Sequence, residues 1–286
     1  MERLNEIKTI WRAELQRALR SSRIIVLLAL YALFSLLVLL IVGTISNAFA
    51  QKLADSGGDP QAAFGEGRDA ILALLFSGGD LAIVDALKKL PMVVLITFKA
   101  TLFFLPAYVA LMGFDQLSGD VANRSIRYLA IRAGRVSILL GKALSQATLL
   151  LGLVMAVDFG MFAYAKITNP GFQTSTLGAG LLKFWLAAIV FSSAYIALTS
   201  LCSALARSPA VSLLLNLLAL IGFWLLDVIG ATDPSRAMLR YLSPYHYSSA
   251  LLHPNFATFA AGVGTYAAFA LIFLGGAYLV LRARDL

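Results

Sequence analysis

The fold class predicted by this sequence is an all-α polytopic membrane protein, a single domain over residues 1–286 with six spanning helices. Two observations lead to it. Apolar residues make up 60% of the chain and charged ones 13%, with a mean hydropathy of +0.83, whereas soluble domains carry about 25% charged residues. The apolar residues also gather into six runs, 24–46, 91–114, 137–163, 181–204, 210–230 and 257–281, each near the roughly 20 residues that cross a bilayer as a helix. A third observation, the division of the basic residues, orients these runs.

In chain order, residues 1–23 read as a helix lying in the membrane surface, with Leu4, Ile7, Trp11, Leu15 and Ala18 on one face and Trp11 at headgroup depth. The first run follows. Ala48-Phe49-Ala50 behind it resembles a signal-peptidase site, but a signal-peptide core spans roughly 7 to 15 residues. This run is longer, and its leader carries Glu2, Glu6 and Glu14, so it is expected to stay as a span. Residues 47–90 form the largest polar segment. QKLADSGGDPQAAFGEG is turn-rich, and DAILALLF and DLAIVDALKK read as short amphipathic helices separated by Ser77-Gly78-Gly79, a small helical cap on the outer side.

The remaining runs are apolar nearly all round, as helices facing both lipid and neighbouring helices should be. Gly152, Ala156 and Gly160, four apart in the third, suit close helix contact or simply reflect how common small residues are in membrane helices. Asn169-Pro170-Gly171 marks a turn, and Arg207-Ser208-Pro209 breaks the fourth run from the fifth. Residues 231–256 hold Pro234, Pro244, Pro254 and an aromatic run from Tyr241 to Tyr247, expected at the outer interface.

Loops rich in Lys and Arg stay in the cytoplasm. Fourteen basic residues fall on the side of the leader, the segment between the second and third runs, Arg207 and the C-terminal Arg282 and Arg284, against eight on the other side. Both termini are therefore expected in the cytoplasm. The net charge of +8 is read as a topology signal and an attraction to anionic lipid. No basic patch interleaved with stacking aromatics appears, so no nucleic-acid partner is expected. A single cysteine, Cys202, excludes an intramolecular disulfide and a Cys-rich metal site, and is expected to be a packed helix residue. His246 and His253 have no carboxylate or cysteine near them in sequence and read as interfacial residues. No metal, no cofactor and no catalytic residue is assigned. Besides Lys142 and Lys183 near the starts of their runs, three charges fall inside the runs, Lys99, Asp158 and Asp227; each costs roughly 2.5 to 3.5 kcal/mol at a helix centre. Their depths predict a Lys99–Asp158 pair, with the shallower Asp227 reaching water.

The stretch LSGDVANRSIRYLAIRAGRVSILLGK, residues 117–142, is the one basic, polar insert near the middle of the chain. Leu117-Ser118-Gly119 resembles the start of the signature of ATP-binding cassettes, but Asp120 stands where a second glycine is needed. Gly134 with Gly141-Lys142 resembles a phosphate-binding loop, with two residues too many between the glycines and Ala143 in place of Ser or Thr. Neither implies nucleotide binding by this chain.

Asp115, Ser118-Gly119-Asp120, Asn123, Ser125-Ile126-Arg127, Leu129, Arg132, Arg135 and Gly141-Lys142 together resemble the first cytoplasmic loop of ABC transporter permeases of the second, exporter-type class. That loop commonly reads Ser-Gly-Glu, Gly-Thr-Leu-Arg, Ser-Arg-Pro and Leu-Leu-Gly-Lys. This chain has Asp120 for Glu, Arg124 for Gly, Ser125 for Thr and Ala133 for Pro. The long outer segment is similar to that of the subgroup with permeases linked to copper-site maturation, gliding motility and sodium or drug export.

The resemblance implies a permease without an ATPase site of its own, set as a multi-pass protein in the lipid of the inner (plasma) membrane. It would form a homodimer or heterodimer of permeases above separate cytoplasmic ATP-binding subunits. It implies that residues 115–136 are the coupling loop, with Asp120, Arg124, Arg127, Arg132 and Arg135 docking the ATP-binding subunit. Two other classes are open to the sequence: a membrane scaffold or assembly factor holding a cytoplasmic partner without turnover, and an integral membrane enzyme, for which a catalytic constellation is lacking.

Overall fold

The computed structural model describes residues 2–22, 25–37, 40, 44, 81–88, 90–168 and 173–284. Among these the chain is almost wholly helical, with no strand. The helices are α1 (Glu2–Leu19), α2 (Ile25–Leu37), α3 (Leu81–Leu87), α4 (Met92–Gly113), α5 (Ser118–Ala122), α6 (Ile126–Arg132), α7 (Arg135–Thr168), α8 (Thr174–Leu205), α9 (Pro209–Thr232) and α10 (Phe256–Ala283). Two 3-10 stretches, Pro234–Leu242 and Pro244–Leu252, join α9 to α10.

Five helices, led by α4, α7, α8, α9 and α10, are long and apolar enough to cross a membrane. They coincide with the second to sixth apolar runs. Of the first run, α2 is apolar but short over its described length; most of residues 38–46 lie outside the described residues, as does the outer segment up to residue 80. Within that segment α3 falls where DLAIVDALKK predicts a helix. The 34 residues of α7 exceed the predicted run at both ends. At about 1.5 Å per residue they span about 51 Å, well beyond a hydrocarbon core of about 30 Å. The first turns of α7 pack against α1, whereas Ile167 near the other end is exposed.

α8 is the central helix, touching α4, α7, α9 and α10, with buried residues from Leu177 to Ala204. Its Phe184 stacks on Phe98 of α4 at 3.9 Å, and Tyr195 lies 5.5 Å from Tyr245. The Tyr245 ring therefore belongs to the core rather than to a purely interfacial girdle, and burial pushes its hydroxyl up to about 12. Helix ends follow local chemistry. Ser208 caps α9, accepting from the Val211 N–H at 3.5 Å with Pro209 at the first helical position, where its missing N–H and fixed φ suit the helix. Asn255 caps α10 in the same way.

α1 does not lie free in the membrane surface. Ile7, Ile10, Trp11, Glu14 and Ala18 form its less exposed stripe, which runs along the first turns of α7. The Trp11 Nε1–H donates to Thr148 Oγ1 at 3.0 Å. Gly141 permits the approach, since a Cβ there would strike Ile10 and meet the Ile7 carbonyl. Among the described residues the small-residue contact suggested for α7 is not made: nothing lies within 4 Å of a Cβ placed at Gly152 or Gly160. That stripe faces away from α1 and α8.

Two expectations about the intramembrane charges are corrected. No ion pair joins Lys99 to Asp158 among the described residues. Adjacent positions on a helix point about 100° apart. On α4 it is Thr97 and Phe98 that line the small space beside Asp158, and that carboxylate faces Trp185. Lys99, the next residue round α4, is instead within electrostatic range of Asp227 on α9. Asp227, for its part, does not reach only water. Arg240 Nε lies 3.4 Å away and His246 Nδ1 3.8 Å away, because the first 3-10 stretch folds back onto α9 over Gly230, where a side chain would collide with Arg240. His246 thus has a carboxylate neighbour that its sequence surroundings did not reveal. Burial, with Arg240 adding to it, pushes the imidazole below its usual range.

Candidate functional site

Residues 115–136 form a projecting helical turn-helix, α5 and α6, between the ends of α4 and α7. Its root is fastened by α8. One hydroxyl, Ser203 Oγ, accepts the Leu117 and Ser118 N–H groups at 3.0 and 2.9 Å and donates to the Phe114 carbonyl at 3.0 Å. This uses the donor and both lone pairs of a serine, and Ser203 is fully buried. Gln116 Nε2 donates to Ser200 Oγ one turn away at 2.8 Å. Ser203→Ala strands two buried N–H groups, each worth about 1–3 kcal/mol. The variant is expected to lower the detergent-solubilised melting temperature by several degrees, measured by size-exclusion chromatography after heating, whereas Ser203→Thr should retain most of it.

Asp120, expected to face a partner, is turned inward and is only 9% exposed. Its Oδ2 lies 2.7 Å from Lys142 Nζ, and its Oδ1 accepts from Ser125 Oγ at 2.8 Å. Lys142, 2% exposed as a side chain, also reaches Glu14 of α1 at 2.6 Å. A buried ammonium so held between two carboxylates joins α1, α5 and the start of α7. The physical reason for the correction is position: Asp120 lies on the face of α5 that packs inward, and Lys142 lies below it. Arg135 is likewise occupied, donating to the Arg282 carbonyl at 2.7 Å. Arg284 donates to the Leu205 and Ala206 carbonyls, both at 2.9 Å, closing the end of α8. Hydrogen bonds from the Ser137 hydroxyl and the Gly134 N–H hold the Glu6 carboxyl below the usual carboxylate range. Thus α1, the end of α10 and the insert meet at one end of the molecule.

What remains exposed is the tip. Arg124, Arg127 and Arg132 are all exposed, and between them two apolar side chains missed in the sequence reading stand out, Tyr128 at 75% and Ile131 at 82% exposure. The opposite side of α6 holds the buried Ile126 against Leu117 and Ile138. Arg124 sits at φ 57° in the turn between α5 and α6, a left-handed conformation that costs a residue with a Cβ about 1–2 kcal/mol. The tip thus presents three guanidinium groups around a small apolar centre, Arg124 from the turn and Arg127 and Arg132 from α6. That pattern suits recognition of a protein surface with acidic or carbonyl groups around a hydrophobic cleft.

The sequence model of the ABC-2 family transporter protein family matches residues 8–286. Among curated proteins no match was found.

Proposed function

The chain belongs to the ABC-2 transporter family and is a permease component of an ABC transporter, and on that premise we propose that it serves an ATP-driven exporter whose separate ATP-binding subunit docks on the tip of α6. The observation that carries this reading is the exposed Arg124, Arg127, Tyr128, Ile131 and Arg132 on a tip whose root is locked into the membrane domain. A surface that only marked the cytoplasmic side would need basic residues but no exposed apolar centre. A mechanical handle needs a rigid anchorage, and the bonds from Ser203, Lys142 and Arg135 supply one.

In this reading the insert and both termini face the cytoplasm, in keeping with the excess of basic residues on that side, and the first apolar run is the sixth span. Two permease subunits, identical or different, sit over two ATP-binding subunits. Closure of the ATP-binding pair draws the two α6 tips together, and the anchorage passes that movement into α4, α7 and α8, switching the permease pair between inward-facing and outward- or laterally open arrangements. Hydrolysis takes place in the partner.

Replacing Arg124 and Arg127 together by Glu tests the docking. Both side chains are exposed, so membrane insertion and the elution profile are expected to be unchanged, while co-purification of the ATP-binding subunit falls. Normal co-purification with normal transport would remove the coupling role from the loop.

A further inference from the structure

Asp158 is an intramembrane carboxylate that the docking of an ATP-binding subunit does not use. It is 8% exposed, and among the described residues no cation pairs with it. The Trp185 indole N–H faces the carboxylate without closing a hydrogen bond of ordinary geometry. Tyr31 is close enough to feel its charge, but the Tyr31 hydroxyl is bonded to Thr101 at 2.8 Å. Neither neighbour carries a positive charge. Ionisable side chains this far inside a membrane are costly; they ordinarily pair with one another or mark a ligand path.

A second observation is independent of charge. Asp158 lines a partly open space of about 20 Å³ between α4, α7 and α8, together with Thr97, Phe98, Phe162, Leu181 and Phe184. That is room for one water molecule, or for one ammonium group of similar size. The space is deep. Counted from the helix ends at Met92, Thr174 and Thr168, its lining residues Thr97, Leu181 and Asp158 lie about 8, 10 and 15 Å inside, at about 1.5 Å per residue.

We propose that this space binds a primary ammonium group carried on an apolar chain. The carboxylate selects a cation, and the Thr97 hydroxyl is a further oxygen that can accept an N–H. The aromatic lining tolerates a positive charge and suits a hydrocarbon stem. A trimethylammonium head exceeds the room available. A metal ion is disfavoured, because hard cations take about six or more oxygen ligands and here Asp158 and Thr97 stand among apolar side chains. Two sources share the ammonium chemistry, a diffusible amphipathic amine and the ethanolamine headgroup of a phospholipid. Depth favours the first, since ethanolamine would draw its phosphate into the span with it.

The test uses the full chain in nanodiscs of phosphatidylcholine, with retained ligand read by native mass spectrometry and stability by thermal unfolding. Dodecylamine is expected to remain bound at one molecule per chain and to raise the melting temperature. Dodecyltrimethylammonium and dodecanol should each be retained about ten-fold less, as the loss of one charge-assisted hydrogen bond implies. Asp158→Asn should weaken dodecylamine retention by a similar factor of about ten. Without ligand it should melt no lower than the parent, because it removes a charge that no cation of the described chain balances. If phosphatidylethanolamine displaces dodecylamine, the ligand source is the bilayer; if it does not, the source is a diffusible amine. Three results would each overturn the proposal. Equal retention of the trimethylammonium analogue would remove the fit to a primary ammonium. Unchanged retention by Asp158→Asn would mean that the carboxyl rests as a neutral acid. An Asp158→Asn variant melting well below the parent would mean that the carboxylate has its partner inside the chain.

Discussion

Lys142→Met is expected to destabilise the membrane domain by about 3–5 kcal/mol, the usual consequence of removing one partner from a buried ion pair. Lys142 is 2% exposed and serves Glu14 and Asp120 at once. Its loss takes the buried ammonium from Asp120 and leaves Glu14 with only the exposed Arg17 as counter-charge. Thermal unfolding in detergent, followed by size-exclusion chromatography, should show this as a drop of many degrees or as failure to recover protein. The combined variant Glu14→Gln, Lys142→Met, Asp120→Asn, which removes all three charges, should recover much of the loss. If Lys142→Met alone melts like the parent, the clamp between α1 and α5 has no energetic role.

The second large effect concerns the apolar centre of the tip. Tyr128→Asp with Ile131→Asp places two carboxylates where the proposed interface has its dry centre. Large buried anchors at interfaces cost about 2 kcal/mol or more when lost, so the pair should weaken binding of the ATP-binding subunit by at least about 30-fold per residue. Both side chains are exposed in the permease alone, so its own melting temperature should not fall. That combination separates docking from folding. A fall in stability with retained binding would show instead that Tyr128 and Ile131 pack within the permease.

The spans were legible because hydropathy alone locates them, and helices α4, α9 and α10 begin and end within a few residues of the apolar runs. The end of α7 and the start of α8 were not: they run on to Thr168 and from Thr174, past runs drawn to 163 and from 181, because polar residues such as Lys166 and Thr174 interrupt the hydropathy there. Charge pairing failed for a different reason. Depth along a helix can be counted from sequence, but which of Phe98 and Lys99 faces α7 depends on the rotation of α4, which neighbouring helices set.

Within the insert the motif was legible and the role of each residue was not. Gly141-Lys142 reads as a family mark; in the fold the glycine admits Ile10 and the lysine holds two carboxylates. Asp120 and Ser125, which depart together from the Glu and Thr of the resembling loop, bond to one another across the turn. Arg124 takes the left-handed conformation at the position where that loop has glycine. Ala133, in the place of proline, has φ −142°, outside the range that a proline ring allows. Tyr128 and Ile131 were passed over because an apolar residue carries no signal in so apolar a chain. Only their exposure distinguishes them.

The central claim, that the α6 tip is the seat of the ATP-binding subunit, is tested most directly by replacing Tyr128 with a photoreactive phenylalanine analogue in the assembled complex. Irradiation should yield a covalent adduct between the two subunits, with the cross-linked peptide lying in the ATP-binding subunit. The same probe in place of Met238, 83% exposed in the segment between α9 and α10, should yield none. An intact complex that gives no adduct from position 128, or gives one from position 238, would contradict the account.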